Sequence, residues 1–331
     1  MRAVQIVNAN EIRIAEIENP TPGQREAKIQ VAACGICGTD IHIYRGEYLG
    51  DYPIIPGHEF AGTVTEVGRE VTRFKEGDRV AVEPNISCNN CYNCLNNRQN
   101  FCLNWQAVGV TRPGAMAEYV CVPEEAIFDI GELPLDRGAF VEPLSCVLHG
   151  IQRVELTLAD RILIIGAGPI GLLLLKTAKL QGVVEITSVD KNKERLKIAQ
   201  AAGATSVCTS LDELQKDKYD TVIDATGVPG IMSRTLDYVR HGGTVLLFGV
   251  PPADSRMSLT PFTIFRKALK ILSSFTSLRN SYQAVDLLKS GRIDVSDLIS
   301  HRLPLTEMQR GIKLIEQGAD RVMKVLILPG E

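Results

Sequence analysis

The chain has little that would tie it to a polyanion, a membrane or an oxidising compartment. Its formal charge is -3, from 36 Lys and Arg against 39 Asp and Glu, so it carries no basic footprint and predicts no nucleic-acid partner. Its longest apolar stretch, GLLLLKTAKL, is broken by Lys176 and Lys179 and falls short of the roughly 20 residues a membrane span requires. The opening run MRAVQIVNANEIRIAEI alternates as a strand does and lacks the basic flank and long apolar core of an export signal. These absences predict a cytoplasmic protein without a membrane anchor.

What is present is enough for two cores. The chain has 331 residues, 45% of them hydrophobic, and its length favours two domains over one. From residue 1 to about 145, Gly and Pro punctuate short extended runs: VQIV, RIAEI, KIQVAAC, AGTVTEV, DRVAV and AEYVCV. That pattern predicts an all-β domain in the form of a partly closed barrel. From Arg161 the rhythm becomes strand, glycine turn, helix, with RILIIG before GPIGLLLLKTAKL and VEITSVD before KERLKIAQAAG. Nearly continuous apolar strands of this kind suit a parallel sheet covered on both faces, as in an α/β doubly wound Rossmann domain. After two helical segments, SYQAVDLLKS and TEMQRGIKLIEQG, the terminal run VMKVLIL reads as strand again. The predicted division is 1–145 with 285–331 as one domain and 146–284 inserted as the other.

Nine cysteines in a small exported protein would suggest disulfides, but four of these lie within 15 residues of a long chain, which favours metal binding in a reducing compartment. Cys88, Cys91, Cys94 and Cys102 are spaced so that four thiolates can close a tetrahedron with no open position, as structural zinc requires. An iron centre or four free thiols are the alternatives. A nucleic-acid-binding finger is disfavoured because SCNNCYNCLNNRQNFC contains only Arg98 as a base. Cys37, His58, Glu59 and Glu142 form a second, scattered set. Its mixed sulfur, imidazole and carboxylate donors are what catalytic zinc takes. Cys34, Cys121, Cys146 and Cys208 read as small buried hydrophobes.

Gly166 to Gly171 spell GAGPIG between a predicted strand and helix. Gly166 permits the turn, Gly168 lets the backbone approach a pyrophosphate, and Gly171 lets helix and strand pack closely; Pro169 and Ile170 open the helix. Asp190 ends the next strand, where its carboxylate can accept hydrogen bonds from an adenosine ribose and repel a 2′-phosphate, favouring NAD over NADP. A helix cap is its plainer reading. Arg195 either reaches over the adenine or ribose edge or is an exposed helix charge, and Thr226 and Gly227 either line the nicotinamide end or form a packing turn.

With CGICGTDIH at 34–42, GHEFAG at 57–62, the four-cysteine lobe, EPLSCVLHG at 142–150, GAGPIG and Asp190, the chain resembles the zinc-containing medium-chain dehydrogenase/reductase family. The resemblance runs through essentially the whole chain and lies in the polyol and threonine dehydrogenase branch. It implies a partly open, GroES-like β-barrel catalytic domain joined to a Rossmann domain, NAD as cofactor, one catalytic and one structural zinc, and a homodimer or homotetramer. It matches Cys37, His58, Glu59 and Glu142 to the catalytic zinc shell, with Glu142 binding directly, through water or by exchange, and the four clustered cysteines to the structural ion. It matches Thr39 and His42 to a proton path completed by the nicotinamide ribose. The implied reaction is reversible hydride transfer between NAD and a secondary alcohol, with an open-chain polyol such as arabinitol, xylitol or sorbitol and its ketose as the preferred pair.

L-threonine 3-dehydrogenase or a short-diol dehydrogenase is the alternative, and a regulatory zinc- and nucleotide-binding protein without turnover is a minor reading. Ile43 follows His42 where the sorbitol-dehydrogenase pattern has tyrosine, and Phe275, Thr276 and Ser277 replace its Phe-Arg-Tyr, which weakens sorbitol in particular. Tyr44, Arg45, Glu47 and Arg279 are polar candidates for substrate recognition or ordinary surface residues.

Overall fold

The short runs between glycines and prolines fold into strands, and the alternating segment after Arg161 into βαβ units, in a computed structural model that describes residues 1–48, 51–318 and 321–331. The chain divides into two compact units, Met1–Ser145 with Thr276–Glu331, and Cys146–Phe275. The return to the first unit comes at Thr276, ahead of the expected residue 285. Ser277 and Ser281 donate to the Glu83 carboxylate at 2.5 and 2.8 Å, which ties this stretch to the β-rich unit up to the first residue of the helix Ser281–Lys289.

The first unit is built on a seven-stranded, mostly antiparallel sheet. Its order is Ile299–Pro304, Lys324–Leu328, Glu26–Gly35, Glu59–Val67, Arg79–Val82 and Ile127–Asp129, with Tyr119–Pro123 also paired to Glu26–Gly35. Alternation decides the faces: Ile29 and Val31 of one strand, Val64 of its neighbour and Val80 and Val82 of the next enter one apolar core with Met116 and Ile312. Register does the rest. Gly35 lies opposite Glu59 on one side and Leu326 on the other, so three strands distant in sequence lie side by side at that level of the sheet. The hairpin of Arg2–Asn8 and Glu11–Glu16 forms a separate two-stranded sheet.

In the second unit six parallel strands run in the order Ser206–Cys208, Glu185–Val189, Arg161–Ile165, Tyr219–Asp224, Val239–Leu247 and Lys270–Ser273. Leu163, Ile165, Val189, Val222 and Val245 are all buried in its core, because helices cover a parallel sheet on both faces. Helices Pro169–Leu180 and Lys193–Ala202 fall where the sequence places them, and Pro229–Tyr238 is a third. Strand order reverses between Arg161–Ile165 and Tyr219–Asp224, the position where ligands bind in doubly wound sheets.

Several elements were not expected, among them the helices Gly38–Arg45, Val141–Val154 and Pro261–Lys267 and the strands Ser206–Cys208, Lys270–Ser273 and Ile299–Pro304. Pro143 lies in the first turn of Val141–Val154, where its missing N–H costs nothing. No helix among the described residues is long and apolar enough to cross a membrane.

Candidate metal centres and cofactor turn

The four-cysteine lobe is held by tight local turns: Asn89 and Asn97 are left-handed (φ 56° and 57°), Cys91 caps the single turn Tyr92–Leu95, and a 3-10 turn spans Gln99–Phe101. These bring the sulfurs together at 3.4 Å for Cys91–Cys94 and Cys88–Cys102, and 4.0 Å for Cys88–Cys94 and Cys91–Cys102. A tetrahedral ion with bonds of about 2.3 Å to sulfur sets its ligands about 3.8 Å apart, so the thiols fit zinc. Backbone N–H groups of Cys88 and Asn104 donate to the Cys102 sulfur, and that of Leu103 to the Cys91 sulfur. Thiolate charge is therefore partly met by the chain itself. The Asn90 backbone N–H, with help from neighbours, lowers the Cys88 thiol to about 6. Burial, and then the contacts with the Cys91 and Cys102 sulfurs, pushes Cys94 up to about 12. Free thiols thus share protons here, and a metal ion would replace them.

The second set is assembled by the strand ends. Cys37 follows the strand Glu26–Gly35 and caps the helix Gly38–Arg45, while His58 immediately precedes, and Glu59 begins, the paired strand Glu59–Val67. One ligand atom from each of Cys37, His58 and Glu59 lies within 4.8 Å of the others. Glu142 stands outside this set; it is carried at the start of the separate helix Val141–Val154. Its charge is felt instead at Lys324.

Two residues of this site escaped the sequence reading. Asp40 is fully buried; one oxygen accepts the Cys37 N–H at 2.8 Å and the other the Gly57 N–H at 3.1 Å. It thus clamps the loops that carry Cys37 and His58. Its Oδ1 is 3.5 Å from His58 Nδ1, a buried nitrogen with no hydrogen bond, so a carboxylate faces one side of the ring as it does beside metal-bound histidines. Burial lowers the His58 pKa, but the charges of Asp40 and then Cys37 outweigh it and hold the imidazole well above 6.5. Lys324, also buried, donates to Glu59 Oε2 at 2.5 Å and to the Ile36 carbonyl at 3.4 Å. Glu59 is therefore paired with a cation at one oxygen. A soft sulfur, an imidazole and a carboxylate, anionic as a group and backed by fixed polar partners, fit zinc as a donor set.

Thr39 and His42 both lie half-buried on Gly38–Arg45, three residues apart and so on one helix face. His42 Nδ1 is 2.8 Å from Glu47 Oε2.

In the second unit Gly166 has φ 103°, and a Cβ on Gly171 would stand 1.8 Å from the Gly166 carbonyl oxygen. Only glycine fits either position, as the strand-turn-helix fingerprint requires. Gly168 caps the helix Pro169–Leu180, with Pro169 and Ile170 in its first turn, leaving backbone N–H groups to face an anion. Asp190 ties this turn to the next strand: Oδ2 accepts the Ala167 N–H and Oδ1 the Asn192 N–H, both at 2.8 Å. Arg195 Nη1 stands 4.0 Å from the same carboxylate. Thr226 and Gly227 form a turn closed on buried Asp224, with contacts of 2.6 Å from the Thr226 hydroxyl and 3.0 Å from the Gly227 N–H.

With both sites described, comparison with known proteins is decisive. Residues 23–132 match the alcohol dehydrogenase GroES-like domain, and 169–290 the zinc-binding dehydrogenase family. D-altritol 5-dehydrogenase of Agrobacterium fabrum is 38% identical, covering 93% of this chain and 94% of that one. This chain belongs to the zinc-dependent medium-chain alcohol dehydrogenases. D-arabinitol dehydrogenase 1 of Uromyces fabae is 31% identical to the dehydrogenase over 99% of this chain and 97% of its own. Among solved structures, a zinc-binding dehydrogenase of Sinorhizobium meliloti 1021 bound to NADP superposes with a TM-score of 0.95 at 34% identity, covering 99% of each chain. A short chain alcohol dehydrogenase from Escherichia coli CFT073 complexed with NADH gives 0.92 at 30% identity, again over 99% of each.

The dehydrogenase is thus an α/β oxidoreductase with a GroES-like and a Rossmann fold, using zinc and a nicotinamide cofactor to interconvert an alcohol and a ketone. Two of its polar surface candidates have structural partners: Tyr44 donates to the Asn10 carbonyl and Arg45 pairs with Glu316. Burial raises the thiols of Cys34, Cys121 (to about 11) and Cys208; Cys34 is buried as expected, whereas Cys121, Cys146 and Cys208 are only half-buried.

Proposed function

We propose that this dehydrogenase oxidises a secondary carbinol of an open-chain polyol to the ketose with NAD as acceptor, and runs the reverse reduction. The observation that carries the reading is the convergence of Cys37, His58 and Glu59 within 4.8 Å, distinct from the closed lobe of four thiols. One set has the donors of an open catalytic site and the other those of a structural clasp. Bound zinc supplies a Lewis acid and the nicotinamide a hydride acceptor. Asp40 fixes the Cys37 and Gly57 backbones, so the donors keep their geometry without the substrate. Thr39 receives the departing hydroxyl proton and passes it toward His42, whose ring exchanges it with solvent. Similarity to altritol and arabinitol dehydrogenases supports the polyol.

For the cofactor, Asp190 places a negative charge beside the glycine turn, which disfavours a 2′-phosphate and supports NAD. The NADP-bound relative makes this a point to measure. The test is initial-rate NADH formation with altritol, arabinitol, xylitol, sorbitol, galactitol, threonine and 2,3-butanediol, followed by product identification. The expected result is highest kcat/KM on an alditol with a ketose product. Preference for threonine or butanediol would reject the polyol, and a Cys37→Ser variant with full turnover would reject the site.

A further inference from the structure

The last turn of the helix Gly38–Arg45 holds an acid against the one imidazole of the proposed proton path. Gly46 is left-handed (φ 76°, ψ 22°), its N–H bonds the Ile43 carbonyl at 3.0 Å, and the Glu47 N–H bonds the His42 carbonyl at 2.8 Å. That pair of bonds is a Schellman motif, in which the side chains at the positions of Glu47 and His42 are brought together and are usually both hydrophobic. Here they are a carboxylate and an imidazole, 2.8 Å apart at Nδ1 and Oε2. Backbone and side chain of Glu47 therefore both grip His42. Other charged groups nearby have partners elsewhere: Asp40 faces the Cys37 and Gly57 N–H groups, and Arg45 pairs with Glu316.

We propose that Glu47 is a positioning residue that fixes the His42 ring with its proton on Nδ1 and keeps Nε2 open as the acceptor for the substrate proton. The inference rests on the proton path through Thr39 and His42. A neutral imidazole has one donor and one acceptor nitrogen, and the hydrogen bond at one decides which the other is. With Nδ1–H donated to Glu47, Nε2 takes the arriving proton, the ring becomes an imidazolium held beside a carboxylate, and the same proton leaves from Nε2 to water. Without Glu47 the ring can turn or change tautomer, and part of the population presents a nitrogen that already carries hydrogen.

The experiment compares Glu47→Leu, Glu47→Gln, His42→Asn and the double variant His42→Asn/Glu47→Leu in the full zinc-loaded enzyme. Leucine restores the hydrophobic contact usual at this place in the motif, so the turn is retained, while glutamine keeps a carbonyl acceptor for Nδ1–H. Glu47→Leu is expected to lower kcat about tenfold, a fraction of the 10²–10⁴ that a general base supplies, with KM within about twofold. Glu47→Gln is expected to recover most of kcat, and the double variant to be no slower than His42→Asn. Imidazole ¹⁵N spectra, with His42 assigned by its loss in His42→Asn, should show Nδ1 protonated in wild type and a mixed tautomer in Glu47→Leu.

Wild-type kcat in Glu47→Leu, multiplied effects in the double variant, or an unchanged tautomer would overturn the proposal. Full turnover by His42→Asn would instead remove the proton path itself, and the tautomer spectrum alone would then decide whether Glu47 positions the ring.

Discussion

Replacing Lys324 by methionine tests how the carboxylate beside the proposed metal set is held. Lys324 and Glu59 have side-chain exposures of 6% and 1%, and their charged atoms are 2.5 Å apart. Met matches the aliphatic length of lysine but leaves Glu59 buried beside Cys37 and His58 without its cation. Removing one partner of a buried ion pair costs about 3–5 kcal/mol, since the remaining charge has no water and has lost its hydrogen-bonded cation. The expected outcome, read by urea unfolding of chelator-treated protein through a probe in the β-rich unit, is a loss of that size. Zinc-saturated protein should lose less, because the ion's charge meets the carboxylate. The double variant Lys324→Met/Glu59→Gln should recover more than half the loss, because no buried charge is left unpaired. An unchanged urea midpoint for chelated Lys324→Met would refute the reasoning.

The pH dependence of this pair follows from the same contacts. Burial lowers the Lys324 pKa, but Glu59 and then Cys37 outweigh it and raise it above 10.5. Lys324's contribution to stability is therefore fully present below about 10.5 and disappears as pH rises through the higher folded-state value.

Cys91→Ser should lose the ion of the 88–102 lobe and lower the melting temperature while leaving the reacting groups in place; metal analysis against wild type reads the loss, and a variant retaining both metals with normal stability contradicts the assignment. Asp190→Ser should weaken NAD use and reduce discrimination against NADP by roughly tenfold, the size of one unit of charge-dependent free energy near 1.4 kcal/mol; kcat/KM with both coenzymes is the measurement, and an unchanged ratio rejects the role. Glu124 supplies an acid-side test: burial raises its pKa, but the Arg73 and Thr72 N–H groups outweigh that and lower it below 4.5. Its stabilisation is present above about 4.5 and is lost as pH falls toward the lower folded value, so Glu124→Gln should flatten the acid limb of a melting-temperature profile, and an unchanged limb counts against it.

What could be read from the chain without coordinates was what is local. The cysteines at 88, 91, 94 and 102 and the glycines at 166, 168 and 171 act within a few residues of one another, so spacing carries most of their geometry. Lys324 could not be read this way. It is 265 residues from Glu59, and only the sheet register that sets Gly35 between Glu59 and Leu326 brings them together. Glu142 was expected near the metal set from its motif alone; it begins the helix Val141–Val154, with Pro143 in the first turn, and its charge acts on Lys324 beside Glu59.

Asp40 and Glu47 lie between these extremes, for both left a local signal that went unread. Cys37 and Asp40 are spaced as the cap and third residue of a helix, the spacing of reciprocal capping. Gly46 stands where a helix ends, so the acid after it lies over the histidine four positions before that glycine. Recognising Gly38–Arg45 as a helix was the missing step. Once that stretch is helical, Thr39 and His42 share a face, Asp40 turns inward to the loop N–H groups, and Glu47 folds back on His42. The arrangement of Thr39, His42 and the groups around them is then a consequence of one eight-residue helix and its two caps. For that reason a substitution that ends the helix early, such as Ile43→Pro, should cost more activity than removal of Thr39, His42 or Glu47 singly; equal loss for Ile43→Pro and His42→Asn would show that the helix contributes nothing beyond the ring it carries.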